Sequence, residues 1–197
     1  NQQMLRLDFE SSLAKCNNEK LISAYQKLIA KTDIIILSDY AKGTLHNISK
    51  FITIAQEHNI PVLVDPKGKD FSIYKGATLL TPNMSEFETV VGHCETEEQI
   101  INRGSELIAQ LDLECLLITR SEKGMSLFAR DGSQIDSPAT ALEVYDVSGA
   151  GDTVISLMAL ATVAGFSNED KLTLANTVAG IVVGKLGTAV ATIDEVI

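Results

Sequence analysis

A short segment rich in small residues, Asp146-Val-Ser-Gly-Ala-Gly-Asp152, stands directly before a long apolar run in this 197-residue chain. Small residues at the start of a helix let an anion approach the main chain, and the free amides and the helix dipole attract it. The amides of Gly149, Ala150 and Gly151 are therefore candidates for binding a phosphate. Asp152 falls in the first helical turn, where a carboxylate can take the proton of an attacking hydroxyl group. An acidic residue that only favours the helix dipole explains Asp152 equally well.

The spacing of the glycines excludes two other phosphate-binding patterns. The Walker A pattern GxxxxGK[ST] does not occur, and no strand leads directly into a GxGxxG turn. The sequence therefore disfavours a P-loop nucleotidase and a nicotinamide-dependent oxidoreductase.

Asn83 and Glu86 form a second polar pair, separated by Met84 and Ser85 and placed after an apolar run. In that position Asn83 can lie near the triphosphate of a nucleotide, and Glu86 can hold Mg²⁺ directly or through water. The same spacing is that of a helix capping box, in which the two side chains bind the backbone of the first turn. The pattern favours the two interpretations about equally.

Three more loops carry polar groups just past apolar runs. Thr119, Ser121 and Gly124 suit a nucleotide phosphate or ribose, although an ordinary turn is the interpretation that this pattern alone favours. The other two loops each offer a carboxylate and a lysine, Asp39 with Lys42 and Asp65 with Lys67. Solvated charged loops are the simpler reading of each, but two of them at neighbouring strand ends indicate a polar cleft that accepts phosphate.

Composition limits the classes of partner. The formal net charge is -10, and 45% of the residues are apolar. An acidic globular chain of this kind is not expected to bind nucleic acid, which needs clustered Lys and Arg. No apolar run approaches the roughly 18 residues that a membrane span requires. We therefore expect a cytoplasmic protein without nucleic-acid or membrane partners, and the sequence does not determine its oligomeric state.

Residues that commonly bind metals are few and scattered. The cysteines are Cys16, Cys94 and Cys115, and the histidines are His46, His58 and His93. No CxxC or Cys/His metal spacing occurs among them. We expect reduced thiols and histidines without a catalytic role.

Alternating apolar and amphipathic segments predict the elements that would position these residues. Short apolar strands are predicted at 33–38, 61–65, 77–80 and 114–119, with helices between them at 44–58, 85–91 and 97–111. Strand–helix alternation implies a parallel sheet covered on both faces, with ligands beyond the carboxyl ends of the strands. All the polar loops named above except 146–152 follow such strands.

The pattern changes after residue 119. Two short antiparallel strands are predicted at 124–129 and 134–137, followed by helices at 150–164 and 168–185, the second ended by Gly187. A closing strand is predicted at 189–193. The chain shows no repeat or linker, so we expect a single domain.

Taken together, the polar segments resemble the ribokinase-like (PfkB) carbohydrate kinase family. Residues 146–159 are similar to its C-terminal signature, and Asn83-x-x-Glu86 and Thr119-x-x-x-x-Gly124 occur in the order that the family shows. The resemblance implies a ribokinase-like three-layer α/β/α fold with a mostly parallel central sheet, N-terminally truncated. It also implies that ATP and Mg²⁺ are used.

Five stretches, 1–10, 37–43, 65–68, 76–88 and 183–188, resemble the heptose 7-phosphate kinases of that family. The implied reaction is phosphorylation of D-glycero-β-D-manno-heptose 7-phosphate at its anomeric hydroxyl, on the route to ADP-heptose and the lipopolysaccharide core. In many bacteria such a kinase is fused to an adenylyltransferase, so a fused second domain is expected. Another sugar kinase of the family is the alternative.

The resemblance also implies roles for single residues. It makes Asp152 the base on the sugar hydroxyl and Gly149 to Gly151 the amides that stabilise the transferring phosphoryl group. It places the segment from Asn83 to Glu86 at ATP and Mg²⁺, and Asp39, Lys42, Asp65 and Lys67 near the sugar phosphate. The remaining implied contacts are nucleotide contacts at Thr119, Ser121 and Gly124, an adenine pocket at Asn176 and Gly180, and a monovalent cation, K⁺, at Asp146 and Ser148.

Members of this family are usually longer than this chain. Residues 1–197 are therefore expected to be the C-terminal, nucleotide-binding portion of a kinase domain, keeping the nucleotide half without phosphorylating sugar by themselves. A nucleotide-binding module without catalysis is the alternative from another functional class.

Overall fold

The computed structural model describes residues 18–141 and 144–196, so the 1–10 stretch and Cys16 lie outside the described residues. One mixed sheet runs through the described part, with its strands in sequence order. The first four strands are parallel, and the last two are antiparallel to their neighbours. The strands are β1 (Ile35–Ser38), β2 (Val62–Asp65), β3 (Leu79–Leu80), β4 (Cys115–Thr119), β5 (Met125–Ala129) and β6 (Gln134–Ser137).

Helices connect the parallel strands and follow the antiparallel pair. They are α1 (Glu19–Leu28), α2 (Ile48–Glu57), α3 (Met84–Val91), α4 (Glu97–Leu111), α5 (Ala150–Val163), α6 (Asn168–Val183) and α7 (Ile193–Val196). Short 3₁₀ turns occur at Ile29–Lys31, Phe71–Tyr74 and Ser121–Lys123. Among the described residues, no helix combines the length and the apolar character needed to cross a membrane.

Side chains alternate between two cores on the opposite faces of the sheet. Val62 and Val64 of β2 pack with α1 to α4, whereas Leu63 between them packs with α5 and α6. In β4, Leu117 also faces α5 and α6, while its neighbours face the other layer. A strand repeats every two residues, so apolar residues in succession need helices on both faces. The predicted three-layer α/β/α fold and mostly parallel sheet are confirmed.

The helix boundaries follow from local chemistry. In α4 the buried residues Ile100, Leu107, Ile108 and Leu111 share one face, as their spacing predicts. The Thr96 hydroxyl accepts a bond from the Gln99 amide and starts this helix. Its observed bounds are those that the sequence predicts.

Two helices depart from their predicted bounds, and one helix is absent from the sequence prediction. Helix α2 begins at Ile48 rather than at residue 44, because 44–47 form turns first. Helix α6 ends at Val183 with Gly184 as its C-cap, three residues before the predicted Gly187. Helix α1 has no counterpart in the sequence prediction.

The predicted closing strand at 189–193 is wrong, and α7 begins at Ile193 instead. The Thr192 amide and hydroxyl both donate to the Glu195 carboxylate, at 2.8 and 3.0 Å, which fixes the start of this short helix. Lys185 donates to the Val190 carbonyl at 2.8 Å and ties the segment to the end of α6. These side-chain bonds replace the ladder that a strand would need.

Glycine is required sterically at residue 124, between β4 and β5. Gly124 has φ +82°, and an added Cβ would lie 2.0 Å from the Ser137 carbonyl oxygen. Gly132, in the β5–β6 turn, has a similar φ of +85° but nothing within 4 Å of an added Cβ. An added Cβ at Gly132 would therefore cause backbone strain alone, whereas an added Cβ at Gly124 would cause both backbone strain and a steric clash.

We expect Gly132→Ala to lower the free energy of unfolding by about 1 kcal/mol, the cost of a left-handed residue with a Cβ. Gly124→Ala should cost at least about 2 kcal/mol more, because its Cβ must displace a neighbouring main chain. Urea unfolding of this chain and both variants measures the difference. Equal losses would show that the β6 segment yields without cost.

Candidate active site

Four polar residues close the carboxyl ends of β1 to β4. In β2, β3 and β4, the residue two positions before the polar one is a leucine that packs against α5 and α6, namely Leu63, Leu79 and Leu117. Strand alternation places the polar residues on that same face. They are Ser38, Asp65, Thr81 and Thr119. We call this set the polar row.

The polar row has unequal hydrogen bonding. Ser38 pairs with Asp65 in the sheet register. The Thr81 hydroxyl donates to the Val64 carbonyl at 3.4 Å, whereas the Ser38 hydroxyl is buried and has no hydrogen-bond partner in the described structure. A buried hydroxyl without a partner is uncommon in a folded protein and often marks a functional position.

Helix α5 begins at Ala150, as predicted, and the Ala150 amide donates to the Val147 carbonyl at 3.2 Å. Gly149 takes the N-cap position with φ +81°, and no side chain caps the helix. An added Cβ at Gly151 would have nothing within 4 Å. Asp152, in the first turn, is exposed. An uncapped, accessible amide end with a positive dipole is suited to binding an anion.

Three carboxyl groups from different elements converge near Asp65. Burial, together with the nearby charges of Glu86 and Asp152, raises the pKa of Asp65 to about 6. The Lys67 ammonium acts in the opposite direction, and Asp39 adds a weaker repulsion. The start of α5 therefore lies within Coulombic reach of the β2 end and of α3. Clustered carboxylates beside an anion-binding helix end are suited to a metal–phosphate ligand.

Glu86 is held by two neighbours. One carboxylate oxygen accepts an ion-pair hydrogen bond from Lys67, and the other accepts the Asn83 amide at 3.0 Å. The Asn83 side chain in turn accepts the Glu86 amide at 2.9 Å, which completes a capping box. The ion pair also raises the pKa of Lys67. The capping interpretation is thus confirmed, and the metal and ATP roles of Asn83 and Glu86 stay predictions.

The loops after β3 and β4 lie side by side. The Thr119 amide donates to the Pro82 carbonyl at 3.0 Å, and Asn83 forms a parallel bridge with Thr119. Ser121 has φ +51° and is exposed, whereas Gly124 is buried. Met84 is partly exposed and Ser85 is exposed in the first turn of α3. The structure therefore brings the two predicted nucleotide segments together, and their nucleotide contacts stay predictions.

The sequence profile described as pfkB family carbohydrate kinase matches residues 4–195. The chain belongs to the pfkB family of carbohydrate kinases. This confirms the resemblance of the 146–159 segment to the family signature.

Curated relatives within the family match nearly the whole chain. It is 53% identical over 194 residues to the bifunctional protein HldE of Haemophilus influenzae, covering 98% of this chain and 41% of that protein. The HldE of Pasteurella multocida is 52% identical with the same coverage. The chain spans about two fifths of the length of these relatives.

Two solved structures share the fold. Arabidopsis thaliana ribokinase, solved with ribose and ATP, has a TM-score of 0.74 and 24% identity, covering 83% of this chain and 53% of its own. Escherichia coli phosphofructokinase-2, solved with potassium, has a TM-score of 0.75 and 17% identity, covering 91% of this chain and 60% of its own. The ribokinase-like fold is thereby confirmed.

Asp39 lies at the site but its carboxylate points into the protein. The residue is 9% exposed. One oxygen accepts the Ala41 amide and the other accepts the Tyr74 hydroxyl, both at 2.8 Å. Lys42, on the same loop, is exposed. Direct contact of Asp39 with a substrate would therefore compete with two internal hydrogen bonds.

Tyr74 is a site residue that sequence reasoning missed. Its hydroxyl contacts Asp39, which is 35 residues away, and Lys67, which is 7 residues away. No local spacing pattern signals such a contact. An aromatic residue in the short β2–β3 connection gives no hint beyond its preference for burial.

Asn176 and Gly180 support the segment after β6. The Asn176 side chain donates to the Ser137 hydroxyl at 2.7 Å and to the Pro138 carbonyl at 2.6 Å. An added Cβ at Gly180 would lie 2.4 Å from the Thr140 hydroxyl. The structure thus gives both residues a supporting contact, and their place in an adenine pocket stays a prediction.

The predicted cation residues shape the turn before α5. One carboxylate oxygen of Asp146 accepts the Ser148 amide at 2.8 Å, and hydrogen bonding from the Ser148 side chain and from that amide lowers the pKa of Asp146. Within residues 18–141 and 144–196, no group of three His, Cys, Asp or Glu residues could hold a metal ion. A metal at Glu86 would thus take further ligands from phosphate and water, as Mg²⁺ usually does.

The raised pKa of Asp65 predicts a pH-dependent stability. The folded chain holds the Asp65 proton up to about pH 6, whereas the unfolded chain releases it near 4. Stability from this group is therefore full below pH 4 and is lost as pH rises to 6. Asp65→Asn removes this loss, so its unfolding free energy relative to the wild type should rise by about 1 kcal/mol between pH 4 and 7, after discounting for solvent screening.

Urea unfolding at pH 4, 5, 6 and 7 checks this expectation. Asp33→Asn removes the same charge from an exposed position at the other end of β1 and should leave the difference from the wild type flat. Parallel pH profiles for the wild type and Asp65→Asn would contradict it.

Proposed function

We propose that this chain is the nucleotide-binding portion of a heptose kinase domain. The reaction transfers the γ-phosphoryl group of ATP to the anomeric hydroxyl of D-glycero-β-D-manno-heptose 7-phosphate and yields the 1,7-bisphosphate. The observation that carries the proposal is the convergence of the uncapped α5 amide end, Asp152 and Glu86 on the polar row. Support for the sugar comes from the heptose-kinase stretches and from 53% identity to the bifunctional protein HldE.

Phosphoryl transfer needs positioning and charge stabilisation more than covalent chemistry. In the proposed mechanism, the amides of Gly149 and Gly151 face the oxygens of the transferring group, and the Ala150 amide joins them by leaving the Val147 carbonyl. Their charge stabilisation acts where negative charge develops, which is the most effective place for it. The exposed Asp152 takes the proton of the attacking hydroxyl.

Lys67 and Glu86 govern the charge around the phosphates. Glu86 would hold Mg²⁺ directly or through water, and a bound Mg²⁺ neutralises charge on the β- and γ-phosphates. Lys67, with its side chain 51% exposed, can turn from Glu86 toward a phosphate oxygen. Lys67 is therefore proposed to exchange one anionic partner for another when the nucleotide binds.

The remaining site residues are proposed to hold the nucleotide, the sugar phosphate and a cation. The K⁺ proposal for this chain is supported by the potassium complex of the fold relative phosphofructokinase-2. The nucleotide contacts are proposed at Asn83, Met84, Ser85, Thr119, Ser121, Gly124, Asn176 and Gly180. The sugar-phosphate contacts are proposed at Asp39, Lys42 and Asp65, and the K⁺ ligands at Asp146 and Ser148.

The proposed setting is the cytoplasm, where ATP is available, on the route to ADP-heptose and the lipopolysaccharide core. The relatives are named bifunctional proteins, which supports a fused adenylyltransferase in the complete gene product. For the chain alone, a nucleotide-binding module without full activity is the second candidate. Coverage of only 53% and 60% of the two family kinase chains favours it.

Two measurements separate these candidates. Calorimetry of this chain with ATP and Mg²⁺ tests nucleotide binding, and a kinase assay on the complete gene product tests catalysis. Heptose 7-phosphate, ribose and fructose 6-phosphate are compared as acceptors. A preference for ribose or fructose 6-phosphate would overturn the heptose assignment and leave the kinase assignment standing.

Asp152→Asn in the complete gene product should lower kcat by roughly 10²- to 10⁴-fold, the usual contribution of a general base. The KM for ATP should change little, because the helix amides remain. Steady-state kinetics with heptose 7-phosphate measure both parameters.

Asp170→Asn is the matched control. Asp170 is also an acidic residue in the first turn of a helix, but α6 starts with a Ser167 cap, and its Asn168 contacts Cys115 at the end of β4 opposite to Thr119. Its substitution should leave kcat unchanged. Wild-type turnover by the Asp152→Asn protein would remove Asp152 from the role of base.

A further inference from the structure

The hydroxyl of Tyr74 joins the loops that follow β1 and β2. Tyr74 is fully buried at the end of a 3₁₀ turn, and its ring makes an edge contact with Phe71 at 5.6 Å between centroids. The hydroxyl lies 2.8 Å from the Asp39 carboxylate and 2.9 Å from the Lys67 carbonyl oxygen. It also accepts the Lys67 amide at 3.0 Å.

These three contacts use the full capacity of a phenol. A tyrosine hydroxyl donates one hydrogen bond and accepts others. Its single proton is therefore shared between Asp39 and the Lys67 carbonyl, while its oxygen receives the Lys67 amide. Bonds to a carboxylate are stronger than bonds between neutral groups. The Asp39 carboxylate thus orients the hydroxyl, and the hydroxyl oxygen holds the Lys67 backbone through its N–H.

Fixing Lys67 has consequences for the next two loops. The Lys67 ammonium pairs with Glu86, and Glu86 closes the capping box with Asn83. Asn83 forms the parallel bridge with Thr119. Polar contacts therefore run without interruption from the end of β1 to the end of β4, and Tyr74 is their one fully buried member.

We propose that Tyr74 is a positioning residue for phosphoryl transfer. Its hydroxyl sets where the Lys67 ammonium stands relative to Glu86 and the phosphates, without touching a substrate. This inference rests on the proposed kinase function. Displacement of a positioned charge by about 1 Å is enough to slow a reaction by up to 10²-fold.

Tyr74→Phe removes the hydroxyl and keeps the ring in its contact with Phe71. In the complete gene product we expect kcat for heptose 7-phosphate to fall by about tenfold or more, with the KM for ATP within about twofold. In this chain, we expect faster hydrogen exchange at the Lys67 amide, which loses its acceptor.

Tyr25→Phe is the matched control. The Tyr25 hydroxyl donates to the Phe51 carbonyl at 3.0 Å, and its ring makes an edge contact with Phe51 at 5.0 Å. Tyr25 is partly buried between α1 and α2 and thus matches Tyr74 in its hydroxyl-to-carbonyl bond and its ring contact. Its loss should leave both kcat and the Lys67 exchange rate unchanged.

A double-mutant cycle with Lys67→Met distinguishes positioning from general support of the fold. If Tyr74 acts through Lys67, then Tyr74→Phe should lower kcat by less than about twofold once Lys67 is already Met. If Tyr74→Phe does not fold, Asp39→Asn keeps the side-chain shape and weakens the same contact, and it should speed hydrogen exchange at the Lys67 amide in the absence of substrate.

Each outcome decides the inference. Faster exchange at Lys67 together with a non-additive cycle supports it. Unchanged exchange would overturn the contact, and additive losses of kcat would reduce Tyr74 to a residue that supports the fold. Absence of kinase turnover in the wild-type gene product would instead overturn the proposed function, and the catalytic part of this inference with it.

Discussion

Strand alternation is the constraint on which the candidate site depends. Four parallel strands end at the same edge, and each puts its last polar residue on the face that α5 and α6 cover. A slip of one residue in any strand would send that polar group into the other core. In β2, β3 and β4 the leucines two positions earlier prevent such a slip, because their burial against α5 and α6 fixes the register. In β1 the parallel pairing with β2 holds the register. The register that buries the apolar side chains of these strands therefore also sets the positions of the polar residues of the site.

The polar row brings negatively charged carboxylates close to one another. Asp65 is partly buried among other carboxylates, which is unfavourable for the ionised group. Hydrogen bonds to Asp39 and the ion pair of Glu86 with Lys67 offset part of this repulsion. A site assembled from mutually repelling groups is destabilising on its own, and such sites are typical where ligand binding supplies the compensating charge.

Sequence reasoning succeeded where the signal is local. The periodicity of α4, the β-branched strands and the Asn83–Glu86 spacing are properties of neighbouring residues, and the structure confirms them. It failed at 189–193, where an apolar run suggested a strand but Thr192 and Glu195 form a helix start. The contact of Tyr74 with Asp39 and the raised pKa of Asp65 depend on residues distant in sequence. Only the assembled fold reveals them.

The start of α5 lacks a side-chain cap, as those of α1 and α2 do, but its N-cap residue is a glycine in the left-handed conformation. Side chains of Asn83, Thr96 and Ser167 cap α3, α4 and α6, whereas Gly149 caps α5 with none. Its φ of +81° strains any residue that could supply a cap. Mutations that improve helix caps are a common route to greater stability. That route is closed at this turn, so variants adapted to higher temperature must gain their stability elsewhere in the fold.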